Sequence, residues 1–141
     1  MRLRLDQNVT LNILFPDQDP TGWETNRASV VVRLVYGETS FLLTGDSPMA
    51  IERYLLTLDP ASLQSTILKV GHHGSRTSTS LEYATAVASE YGIISVGLNN
   101  RYGHPHQEVL DILAKIKATI LRTDEQGTII FRSDGTTLAH N

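Results

Sequence analysis

A chain of 141 residues is long enough for one compact domain with its own core, and 40% hydrophobic with 19% charged residues is an ordinary globular balance. The net charge of -3, with no run of like charges longer than two, leaves no basic stripe for nucleic acid visible in the sequence. Without cysteine there are no disulfides and no thiolate ligands. No stretch approaches the roughly 18 apolar residues of a membrane span, and the N-terminus lacks the apolar region of a signal peptide, so the chain reads as soluble.

Val9 to Phe15 alternates apolar residues at every second position and predicts a half-buried strand. The turn-rich Pro16–Glu24 follows as a loop, with Trp23 expected to anchor it on the domain. Val30–Tyr36 and Ser40–Thr44 read as strands joined by a tight turn at Gly37-Glu38. After Gly45-Asp46 the period changes. Pro48 suits a first helical turn, and Ile51, Tyr54, Leu55 and Leu58 share one helical face. Thr66–Val70 reads as a strand, Ser80–Tyr91 as a helix and Gly92–Val96 as a strand. A helix follows from Pro105 with Val109, Leu110, Ile112, Leu113 and Ile116 on its apolar side, then a strand at Thr119–Leu121. Thr128–Phe131 and Thr136–Leu138 predict a hairpin across Asp134-Gly135. From Ser40 to Leu121 the order β-α-β-α-β-α-β predicts an α/β fold with right-handed crossovers, in a sheet made mixed by its flanking hairpins.

Three strands end in the same way. FLLTG runs into Asp46, ILKVG into His72 and His73, and IISVG, after a loop, into His104 and His106. In a β-α-β series such ends lie on one sheet edge, where open α/β sheets build their sites. Adjacent strands about 4.8 Å apart would let Asp46 and His72 share one ion. Four of the five histidines fall in the clusters HHG and HPH, and imidazole with carboxylate ligates zinc, manganese or iron. Surface-loop histidines are the plain alternative. Ser75 to Ser80 fits a helix N-cap region, with Ser75 alternatively binding phosphate or orienting a ligand. Asn99-Asn100-Arg101-Tyr102 reads as a polar loop, or as one whose Arg101 and Tyr102 meet an anionic substrate. Asn26 and Ser29 read as turn chemistry. Ser47 has no evident base, and no G-x-S-x-G elbow supports a serine hydrolase.

The strings NRASVVVRLVYGETSFLLTGD, LKVGHHGSRTSTS, IISVGLNNRYGHPHQEVL and RTDEQG resemble the C-terminal part of the metallo-β-lactamase-like domain of ComEC-type competence proteins and its free-standing soluble relatives. The resemblance covers Val9 to the C-terminus. It implies the C-terminal half of an αββα sandwich that carries one or two zinc or manganese ions and hydrolyses phosphodiesters such as DNA. Carried over by position, Asp46 and His72 are metal ligands. His73, His104 and His106 are catalytic or substrate-facing, and Ser75, Arg101 and Tyr102 contact substrate. The superfamily's HxHxDH ligand string does not occur here. Residues 1–141 are therefore expected to form a single partial domain, inactive alone, with an uncovered apolar face prone to self-association. Such a domain would be cytoplasmic if free-standing and membrane-associated if part of a full ComEC-type protein. A non-catalytic binding or regulatory module on the same fold is the alternative.

Overall fold

A computed structural model describes all residues, 1–141. Seven strands form one sheet whose spatial order is their chain order: β1 (Arg2–Asp6), β2 (Val9–Phe15), β3 (Val31–Tyr36), β4 (Thr39–Leu43), β5 (Ile67–Lys69), β6 (Tyr91–Ile94) and β7 (Thr119–Arg122). The first three pairings are antiparallel and the last three parallel. Each parallel connection carries one helix: α1 (Met49–Leu58), α2 (Leu81–Val87) and α3 (Gln107–Lys115). This is the expected β-α-β-α-β-α-β order in a mixed sheet. A short α4 (Thr123–Gln126) and a separate hairpin, β8 (Phe131–Ser133) with β9 (Leu138–His140), complete the chain.

Crossovers of one hand, stepping the same way across a sheet, set their helices on the same face. α1 meets α2 and α2 meets α3, as that requires. The core lies beneath them. Leu42, Leu68 and Ile94 from alternating strand positions pack with Ile51, Leu55, Val87, Val109 and Leu113, all at most 5% exposed. Gly92 belongs to this face because a Cβ there would lie 3.0 Å from Leu113 Cδ2, so its bare backbone lets α3 approach.

The opposite face has a thinner cover. Register sets Leu3, Leu11, Leu34, Phe41, Ile67 and Tyr91 in one row across it. The β8–β9 hairpin covers one end of that row. Phe131 packs edge-on to Phe41 and Tyr91, with ring centroids 6.3 and 5.3 Å apart. Toward β1 the row is half-buried, and Leu3 is 40% exposed.

Three expectations are corrected. Arg2–Asp6 is a strand, whereas the alternation predicts the first strand at Val9. Its Arg/Leu alternation is that of a strand, but every residue is exposed, as suits a charged sheet edge. The helix expected over Ser80–Tyr91 stops at Val87, because Ala88 turns left-handed (φ 49°) and Tyr91 is drawn into β6 between Ile67 and Thr119. The terminal hairpin lies further along the chain than expected. Asp134 accepts from the Thr136 and Thr137 amides at 2.9 and 2.7 Å, and this turn holds Thr136 and Thr137 out of the strand. Trp23 anchors its loop as expected, stacking on Phe15 at 5.6 Å. No helix is long and apolar enough to cross a membrane.

Candidate functional site

The C-terminal ends of β4, β5 and β6 bring the two histidine clusters and Asp46 to one edge. The β4 end is tied to the β5 end through the backbone, since the His72 amide donates to the Gly45 carbonyl at 3.1 Å. The Asp46 amide donates to Ser29 Oγ at 3.2 Å. Ser29 thus does more than turn the chain, a role its sequence context did not signal.

After Val70 the chain makes a tight turn through Gly71–Gly74. His72 (φ 46°, ψ 46°) and His73 (φ 57°, ψ 23°) are both left-handed. Two consecutive side-chain-bearing residues in this region are costly, and such strain collects at functional sites. The twist sends the two rings to different neighbours. His73 Nε2 stands 3.7 Å from Asp46 Oδ1, while its Nδ1 lies 2.6 Å from the Ser95 carbonyl oxygen. His72 Nδ1 lies 3.4 Å from Thr77 Oγ1, and its ring is edge-on to His104 at 5.8 Å. The imidazole within ion-pair distance of Asp46 is therefore that of His73, and His72 bridges toward the second cluster.

That second cluster is docked on the first. The His106 amide donates to the Gly74 carbonyl at 2.9 Å, and the Arg76 amide donates to His106 Nδ1 at 3.3 Å. Gly74 sits at φ 82°, and a Cβ there would come within 2.5 Å of Pro105 Cβ, so the join between the clusters depends on glycine. Asn100 fixes His104 from both sides. Its Oδ1 accepts from the His104 amide at 3.0 Å, and its Nδ2 donates to the His104 carbonyl at 2.6 Å. His104 and His106 rings lie 5.0 Å apart. Burial, then the neighbouring His106, His72 and His73, hold the His104 pKa below the usual imidazole value, against the pull of Asp46. These neighbours favour the neutral form of His104, the form that accepts a proton or ligates a metal.

A cavity of about 390 Å³ opens beside this edge, lined by His73, Ser95, Asn100, Tyr102 and His104 among others. Tyr102 is 66% exposed and stacks on His104 at 5.9 Å, with the Arg101 guanidinium 5.4 Å from its ring centre. Ser75 is buried, and its hydroxyl pairs with Thr77 Oγ1 at 3.0 Å, away from open solvent. Ser80 is the N-cap of α2, accepting from the Tyr83 amide at 3.3 Å. His140 packs on Tyr91 and Phe131, apart from both clusters.

The sequence pattern does not signal one buried and one half-buried charge. Glu52 on α1 is 2% exposed, and its carboxylate accepts from the Thr79 and Ser80 amides, the latter at 2.8 Å. It clamps the loop that follows HHG. Burial pushes its pKa up despite these hydrogen bonds. Lys69 lies at the end of β5, and burial holds its pKa down while the charge of Asp46 opposes the shift. Both sit inside otherwise regular apolar patterns, which masked them.

No group of three or more His, Asp or Glu side chains is arranged to hold one ion. Asp46 with His73 is a two-donor pair, fewer than the three or four protein ligands that zinc sites use. These residues do not by themselves fit a complete metal centre.

No protein-family model matches the chain. Curated proteins do. The chain is 38% identical over 126 residues to ComE operon protein 3 of Bacillus subtilis. It is 37% identical over 108 residues to competence protein ComA of Neisseria gonorrhoeae, and 34% identical over 124 residues to recombination protein 2 of Haemophilus influenzae. These relatives point to the competence family. The matches take in 89%, 77% and 87% of this chain but only 16%, 16% and 15% of those proteins' lengths. The competence relatives accord with the resemblance carried by the strings around Asp46, HHGS and HPH.

Proposed function

We propose that this chain supplies one side of a hydrolytic site for phosphodiesters, DNA foremost, in a metallo-β-lactamase-type domain of the competence DNA-uptake kind. The observation that carries the reading is the convergence of Asp46, His72, His73, His104 and His106 on one sheet edge beside an open cavity, in a chain with competence relatives. A complete centre of this type needs one or two zinc or manganese ions, and the remaining donors must come from outside these residues. The thinly covered apolar face is where a further β-layer, or a second copy of the chain, would pack.

Within this reading Asp46 and His73 form the donor pair that the geometry favours, and His72 stands beside them toward His104. Tyr102 and Arg101 form the outer wall that meets the substrate. His104 is placed to accept or relay a proton. A second reading, a binding or regulatory module without turnover, is favoured by the two-donor count.

The test is turnover of bis-p-nitrophenyl phosphate with zinc or manganese, by the chain alone and by a longer domain that includes an HxHxDH segment. The expected result is negligible turnover from the chain alone and metal-dependent turnover from the longer domain. There Asp46→Ala, His72→Ala and His73→Ala should remove at least about 100-fold of the rate, with His140→Ala neutral. Activity of the longer domain that survives Asp46→Ala would remove the site assignment. A longer domain that is folded but inactive would favour the binding module.

A further inference from the structure

The antiparallel side of the sheet carries a charge pattern that the histidine edge does not use. Arg2 is the register partner of Asn12, and Asn12 of Arg33, while Arg4 is opposite Thr10. Arg33 is in turn opposite Leu42, whose side chain points into the helix-backed core. Alternation therefore sets the three arginines on the helix-bearing face of the sheet and the leucines of β1 on the other. Residues scattered at positions 2, 4 and 33 become neighbours only through strand pairing, so no basic stripe is visible in the sequence.

Three clefts join along this face. One of about 490 Å³ is bounded by Arg2, Arg4, Gln7 and Thr10. A second, about 390 Å³, shares Arg2 and reaches Asn12, Ser62 and Arg33. The third, about 370 Å³, shares Arg33 and continues past Ser65 to Thr66, with Glu90 as its one acid. From β1 to the start of β5 the groove crosses four inter-strand steps of about 4.8 Å, about 19 Å in all.

The arginines are not neutralised. None of the three is in a salt bridge. Arg4 donates to the Asp6 and Gln7 carbonyls, and Arg33 donates to Ser65 Oγ at 3.2 Å and Ser40 Oγ at 3.4 Å. A half-buried guanidinium held by hydroxyls alone lacks a counter-charge that an anionic ligand would supply.

We propose that this groove binds the phosphate backbone of one nucleic-acid strand, with Arg2, Arg4 and Arg33 meeting successive phosphates. The inference rests on the phosphodiester reading for its choice of polyanion, but it concerns a surface separate from the histidine edge. Hydroxyl and amide groups between the arginines suit phosphate and sugar contacts. Clefts of this volume admit one strand, whereas a duplex reaches only their rim. A lipid surface is a poorer match, because the exposed leucines of β1 point away from the arginines and cannot insert beside them.

The experiment is fluorescence anisotropy of a labelled twelve-residue oligothymidylate with the 141-residue chain, metal-free, across a salt series. The triple variant Arg2→Ala/Arg4→Ala/Arg33→Ala should weaken binding at least tenfold. It should also flatten the log–log salt slope by about 2, at about 0.7 per lost single-strand phosphate contact. Arg2→Ala/Arg4→Ala, whose two positions are fully on the surface, should lose binding and slope in part while keeping the parent melting temperature. His140→Ala, which lies apart from this groove and from both histidine clusters, should bind like the parent. Undiminished binding by the triple variant would overturn the proposal, as would an equal loss of binding in His140→Ala. Arginine-dependent capture by phosphatidylglycerol vesicles with no oligonucleotide binding would overturn it too.

Discussion

The two halves of the sheet solve different problems. In the parallel half, β4 to β7, strands of three to five residues are backed by helices, and Leu42, Leu68 and Leu113 are fully buried. In the antiparallel half, β1 and β2 run five and seven residues with no fully buried side chain except Phe15. The candidate site stands on the parallel half. Two left-handed histidines there lie between the buried Gly71 and Gly74. The antiparallel half presents long, accessible pleats, apolar on one side and arginine-bearing on the other. Precision of placement comes with burial, and contact area comes with exposure.

Truncations in the two halves should therefore differ most. Leu68→Ala should cost about 2–5 kcal/mol of unfolding free energy, and Leu5→Ala less than about 0.5 kcal/mol, in paired urea titrations. Equal losses would mean that β1 is as integral as β5.

The next largest effect is expected at Glu52. Glu52→Gln places an amide NH₂ against one of two backbone donors in a buried site and should cost about 1–3 kcal/mol. The pH dependence should change with it. Because burial raises the folded-state pKa of Glu52, the folded protein holds a proton that the unfolded chain releases. The stability contributed is present in acid and is lost as pH rises from the ordinary glutamate range through the raised value. Denaturation midpoints followed against pH should show this decline in the parent and not in Glu52→Gln.

Smaller still is the expected strain at the HHG turn. With φ at 57°, position 73 favours glycine, so His73→Gly should melt as a protein about 1 kcal/mol more stable than His73→Ala. A reversed order would mean that the turn relaxes when the ring is removed and that the left-handed geometry belongs to the side chain.

The same division governs what could be read beforehand. Strong periodicity made the parallel half legible. Ile51, Leu55, Val109 and Leu113 marked the helices, and the repeated strand-glycine-polar endings marked the edge that bears Asp46, His72 and His104. What could not be read was set by three-dimensional pairing. The left-handed pair at His72 and His73 decides which ring faces Asp46, and no sequence pattern encodes it. Glu52 carries no signal in the sequence, because the Thr79 and Ser80 amides that hold its carboxylate come from a distant segment. The arginines of β1 and β3 meet through register alone.

Asp46 and His73 are proposed to form one side of a metal centre completed by donors outside these residues. A zinc titration by isothermal calorimetry tests it most directly, with the 141-residue chain alone and within a longer domain carrying an HxHxDH segment. No stoichiometric zinc is expected on the chain alone. Tight binding of one or two ions is expected in the longer domain, weakened at least tenfold by Asp46→Ala and by His73→Ala. Tight stoichiometric zinc on the chain alone, or unaltered affinity in the Asp46→Ala domain, would contradict it.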